Sequence, residues 1–143
     1  MKPDTIDLNL MQKLTEKRKT GNLGEEIACR YIGSKGYEII EQNYLKKFGE
    51  IDIIARKEGI IHFIEVKSVS RENIIKVSDE TNDYKPEDNV HPWKLQRLAR
   101  TMQVYLSERG VSPETNWQFD VITVQIDKKA LKTMVFMLEN VIL

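Results

Sequence analysis

A chain of 143 residues with a hydrophobic share of 41% and a charged share of 31% is an ordinary soluble globular protein, sized for one domain with a proper core. It has no apolar run near membrane-span length and no signal-peptide core at its start, so a cytoplasmic protein without membrane contact is expected. Lys plus Arg and Asp plus Glu number 22 each, which excludes a global positive field that would pull the protein onto nucleic acid, and one cysteine excludes an internal disulfide framework.

Residues 1 to about 20 carry Leu8, Leu10, Met11 and Leu14 around a basic stretch of Lys13, Lys17, Arg18 and Lys19. They read as an N-terminal arm or a short helix, with residues 21–143 forming the main domain. A first helix is predicted from about Asn22 to Ser34, with Ile27, Tyr31 and Ile32 on its apolar side and Gly36 as its stop. Cys29 falls inside it as a small packing residue. Tyr37 to Gln42 reads as a strand, followed by a loop holding Tyr44, Lys46 and Lys47 that leads to Gly49.

Residues 49–56 and 60–68 are apolar alternating runs around Lys57-Glu58-Gly59, which predicts a β-hairpin. Residues 69–91 are polar and poorly periodic, too long for an ordinary connection, and suit a functional flap or a disordered segment. From Arg71 to Asp88 they hold three basic and six acidic residues, a balance that repels phosphates. Pro92 opens a second helix in which Leu95, Leu98, Ala99, Met102 and Leu106 recur at helical spacing, closed by Gly110. Phe119 to Ile126 and Met134 to Ile142 read as two further strands. The order is αβββαβ with an extra C-terminal strand, an α/β fold built on a mixed sheet flanked by helices.

The hairpin holds the chemistry. Asp52, Glu65 and Lys67 stand among Ile, Phe and Val, where an unpaired charge away from water is costly. Side chains alternate along a strand, so Glu65 and Lys67 point the same way. Folding near Lys57-Glu58 brings Asp52 within a place or two of Glu65, close enough for the two carboxylates to repel unless one is protonated or a cation sits between them. Two carboxylates, completed by a backbone carbonyl such as that of Val66 and by waters, suit Mg²⁺ or Mn²⁺. Lys67 would stand beside that ion as a point charge, steadying a pentavalent phosphate or orienting the attacking water.

Asp52 followed by Glu65-Val66-Lys67 resembles the Asp…Glu-x-Lys core of the restriction-endonuclease-like nucleases. Gly24-Glu25-x-x-Ala28, Gly36-Tyr37, Asn43, Gly49-Glu50-Ile51-Asp52, Phe63-Ile64-Glu65-Val66-Lys67 and Phe119-Asp120-Val121 bring the likeness closer to the YraN family of predicted endonucleases, related to archaeal Holliday-junction resolvases. The resemblance runs from about Gly21 to Ile126. It implies a metal-dependent DNA endonuclease with Asp52 and Glu65 as metal ligands, Lys67 as the residue orienting the attacking water, and Glu25 as a third acid. Branched or structured DNA is the implied substrate, and the symmetry of such DNA favours a homodimer. Beyond Lys67 the family pattern continues with a basic or hydroxyl residue and then Arg, whereas this chain has Ser68-Val69-Ser70-Arg71 and then the acidic insertion.

Other candidates have plain readings beside the functional ones. Lys94, Arg97 and Arg100 flank the apolar stripe of the second helix as phosphate contacts or as a solvated face. Lys46 and Lys47 could meet a DNA backbone or belong to an ordinary surface loop. Glu26 should face solvent, Glu50 is a turn-end acid or an outer neighbour of the site, and Glu25 also suits a helix N-terminus. His62 and His91 have no His or Cys partner at ligand spacing, which argues against zinc. The alternative to an enzyme is a non-catalytic nucleic-acid-binding or assembly module that keeps the nuclease fold, and a third option is protein interaction through the apolar N-terminal segment.

Overall fold

The computed structural model describes Asp4–Thr5, residues 23–70 and residues 92–142. Most of the N-terminal arm, and residues 71–91 of the acidic insertion, lie outside these. The elements are β1 (Asp4–Thr5), α1 (Leu23–Ser34), β2 (Glu38–Lys46), β3 (Gly49–Lys57), β4 (Ile60–Ser70), α2 (Pro92–Glu108), β5 (Trp117–Asp127) and β6 (Lys132–Leu138). The αβββαβ order with an added C-terminal strand is therefore present, and the two-residue β1 pairs with β6 at one edge of the sheet.

α1 buries Leu23, Ile27, Ala28 and Ile32 at helical spacing. It stops at Gly36, whose φ of 90° lets the Gly36 N–H reach the Gly33 carbonyl and the Tyr37 N–H reach that of Ile32. Those two bonds satisfy carbonyls the helix end would otherwise orphan. Between β3 and β4 the turn is two residues long, Glu58 and Gly59, both with positive φ. That conformation matches the twist of the flanking strands and fixes the hairpin register.

β2 is longer than its sequence suggests. Tyr44 and Lys46 are strand residues, not loop residues, and Tyr44 is buried. The pairing with β3 slips between Ile39 and Glu41, and Asn43 takes a φ of 53°, so the inward positions lose the strict alternation by which a strand is recognised. At the other end of the chain, β6 stops at Leu138 rather than running to Ile142. Asn140 has a φ of 56°, and Val141 turns back to donate its N–H to the Phe119 carbonyl.

The sheet order is β1-β6-β5-β4-β3-β2, and β4 with β5 is its one parallel pair. Parallel neighbours need a crossover connection, and α2 lies within it. The two helices cover opposite faces. α1 packs with Ile53, Ala55, Ile64, Ile122 and Val124. On the other face, Leu98, Met102 and Tyr105 of α2 pack on Ile54, Ile61, Phe63, Phe119 and Val121. Among the described residues no helix is long and apolar enough to cross a membrane.

Candidate metal and nucleic-acid site

The β3–β4 ladder is paired from Lys57↔Ile60 to Ile53↔Ile64 and ends there. One step further along that register, Asp52 stands opposite Glu65. β3 no longer supplies a backbone acceptor at this point, and the Asp52 carboxylate takes its place. Its Oδ2 accepts the Val66 N–H at 2.8 Å. The end of the ladder thus places one acid, and the alternation of β4 turns Glu65 toward the α2 face.

α2 supplies the counter-charge. Lys94, in its first turn, donates to Glu65 Oε1 at 2.7 Å, and the Lys67 ammonium is 3.9 Å from the same oxygen. Glu65 is nearly buried, its side chain 11% exposed. Its other oxygen, Oε2, is buried and has no hydrogen-bond partner among the described residues. A buried carboxylate oxygen without a donor is costly and is what a hard cation would satisfy.

α1 brings the third acid. A Cβ on Gly24 would lie 1.6 Å from the Ser68 Oγ and 2.9 Å from the Ser68 Cβ. Only glycine lets the start of α1 approach β4 this closely. Glu25 follows it in the first turn, near enough to Asp52 for the charges to interact. The pairing of Gly24 with Glu25 thus has a mechanical basis, since the close approach delivers the acid.

These surroundings set the protonation states. Burial first, then the charges of Glu25, Glu65 and Glu50, push Asp52 up to about 7 from 3.8, against the opposing Val66 N–H bond. Burial and the adjacent Lys94 hold Lys67 below the usual lysine value. Burial alone would lower Lys94, but its bonds to Glu65 and Lys67 carry it above that value. A buried aspartate raised to about 7, with a depressed lysine beside it, is the electrostatic pattern of a functional site. The donor set contains only oxygens, so it fits Mg²⁺ or Mn²⁺ rather than a softer metal.

Of the residues singled out from sequence, the structure gathers Asp52, Glu65, Lys67, Glu25 and Lys94, with the Val66 backbone between the two principal acids. Arg97 lies one turn beyond Trp93 and donates to the Phe48 carbonyl at 2.8 Å, tying α2 to the β2–β3 turn. Arg100 lies over the Phe48 ring at 3.7 Å. Lys46 is drawn elsewhere: its ammonium is 2.7 Å from Glu108, the last residue of α2, whereas the carboxylates sit by that helix's first turn. Lys47 is exposed at the turn, its ammonium 6.0 Å from the Phe48 ring centroid.

Two features escape the sequence. Phe48, Gly49 and Glu50 face Trp93, Lys94, Arg97 and Leu98 across a cavity of about 220 Å³ beside the Lys94–Glu65 pair. In addition, buried His62 bonds through Nδ1 to Asp120 at 2.6 Å, and Asp120 also accepts from Gln118 and the Asn140 N–H. Glu139 brings a carboxylate oxygen to this pair as a third ligand-type atom, all within 4.8 Å. His62 and Glu65 differ by an odd number of strand positions, so this cluster belongs to the opposite face. The family-like Phe119-Asp120-Val121 run hints at it, but the partner lies 58 residues away in the chain.

Residues 24–124 match the model of a family described as "Uncharacterised protein family UPF0102". A UPF0102 protein of Campylobacter jejuni subsp. jejuni (serotype O:2) is 37% identical over 107 residues, 75% of this chain and 84% of its own. One from Campylobacter fetus subsp. fetus is 36% identical over 108 residues, 76% and 85% of the two chains. One from Helicobacter pylori (strain HPAG1) is 35% identical over 119 residues, 82% and 92%. The chain belongs to the UPF0102 family, and the matched span holds every residue gathered at the site.

Proposed function

We propose that this UPF0102 member is a divalent-metal-dependent endonuclease that hydrolyses phosphodiester bonds in branched or otherwise structured DNA. The observation that carries the reading is the convergence of Asp52 and two lysines on Glu65, whose Oε1 the lysines approach and whose buried Oε2 has no hydrogen-bond partner among the described residues. Asp52, Glu65 and the Val66 carbonyl are the groups that would hold Mg²⁺ or Mn²⁺, with Glu25 as a further acid near Asp52. The bound ion would supply a water of lowered pKa and offset charge developing on the phosphate.

The chain's own residues do the rest. Lys67, its pKa lowered by burial and by Lys94, is suited to orient a water and to exchange a proton with it. Lys94 holds Glu65 in place and adds positive charge where the phosphate would lie. Branched DNA as substrate rests on the family likeness to resolvases, and a homodimer would match the two-fold symmetry of such DNA.

The test is cleavage of fluorescently labelled branched, nicked and linear DNAs in Mg²⁺ or Mn²⁺. Wild type should cut a branched substrate and Glu65→Ala should not. Equal backgrounds from the two proteins would remove the nuclease reading. Salt-dependent binding without turnover would select a non-catalytic DNA-binding module instead.

A further inference from the structure

Trp93 stands largely outside the core. It lies in the first turn of α2 with 59% of its surface exposed, while the core-facing positions of that helix are taken by Leu98, Thr101, Met102 and Tyr105. An indole is the largest apolar side chain and dominates the energetics of whatever it packs against. Here it borders the cavity beside Lys94 and is immediately next in sequence to the residue that grips Glu65.

Its surroundings are cationic and braced. The Arg97 guanidinium carbon lies 6.0 Å from the Trp93 ring centroid, and Arg97 is itself anchored on the Phe48 carbonyl. Arg100, on the same helix, covers the Phe48 ring. The cavity wall therefore offers an exposed ring with cations on the helix behind it, and among the described residues that line it Glu50 is the only acid. An apolar protein partner would not need those cations, and a bare phosphate would not need the indole. A nucleotide needs both, because it carries a π face and a negative backbone.

We propose that Trp93 is a stacking platform for an unpaired base of the DNA strand whose phosphate reaches the Asp52–Glu65 site. The inference rests on the nuclease reading for its substrate and narrows it. The preferred DNA is one with a base already out of the duplex stack, at a fork, flap or junction, because unstacking a paired base carries its own cost. Arg97 positions the ring and meets the adjoining phosphate.

The experiment measures binding in EDTA, so that turnover plays no part. Tryptophan fluorescence of the full chain is titrated with oligothymidylate, a forked DNA and a blunt duplex. The fork and the single strand should quench wild type strongly, and the quench should vanish in Trp93→Phe while persisting in Trp117→Phe. Trp93→Ala should weaken fork binding about tenfold, the order expected for one stacked base, with partial recovery in Trp93→Phe and little change for the blunt duplex. Equal fork affinity in wild type and Trp93→Ala, with Glu65-dependent cleavage intact, would overturn the platform and leave the nuclease standing. A Trp93-dependent loss of fork binding in a protein that never cleaves would keep the platform and remove the nuclease.

Discussion

In the metal-free protein Asp52 opposes folding, and its replacement by asparagine measures how much. Its pKa is pushed up to about 7 from 3.8, by burial first and then by the neighbouring acids. The folded state thus holds a proton that the unfolded state has already released between those values. The resulting stability is complete below about pH 4 and is lost as pH rises through 7. At about 1.4 kcal/mol per pH unit, the displacement amounts to at most about 4 kcal/mol at pH 8. An asparagine at this position can still accept the Val66 N–H through its side-chain oxygen but has no charge to desolvate. Asp52→Asn should therefore be more stable than wild type at pH 8 by about 1–4 kcal/mol and should show a flatter dependence between pH 5 and 8. Urea unfolding followed by circular dichroism in EDTA measures both. If Asp52→Asn were no more stable at pH 8, or wild type showed no extra loss between pH 5 and 8, the crowded-acid account would be wrong.

Gly24→Ala should destabilise the protein by about 1–3 kcal/mol, the usual size for overpacking, because its Cβ would collide with Ser68. Thermal unfolding checks this, and Ser68→Gly in the same chain should recover part of the loss. Lys94→Met should lower turnover about 100-fold or more, the scale of losing one charge-stabilising donor. Steady-state cleavage of a branched DNA is the readout. Gly36→Ala should lose about 1 kcal/mol, since its left-handed φ closes α1, with cleavage unchanged when assayed well below the unfolding temperature.

The hairpin and its acids are legible because their signals are local. Period-two alternation, a two-residue turn ending in glycine, and acids placed among Ile and Phe are readable within about twenty positions. The register even puts Asp52 beside Glu65. It does not reveal that the ladder ends at Ile53, freeing the Val66 N–H for the Asp52 side chain. β2 is under-read because a register slip and a left-handed Asn43 hide its alternation. Lys94 reads only as one of three helix charges, since its partner Glu65 is 29 residues away. Trp93 gives no signal, because an exposed aromatic near a helix start has meaning only once the β2–β3 turn is seen opposite it. The His62–Asp120 pair is non-local in the same way, with each half sitting unremarkably in an apolar strand.

Anomalous diffraction from crystals soaked in Mn²⁺ shows whether Asp52 and Glu65 hold a divalent ion. An anomalous peak bounded by the carboxylates of Asp52 and Glu65, and absent from Glu65→Gln crystals, is the expected result. A soak that leaves these acids empty while Lys94 keeps its hold on Glu65, or that places the ion only elsewhere, would contradict the account.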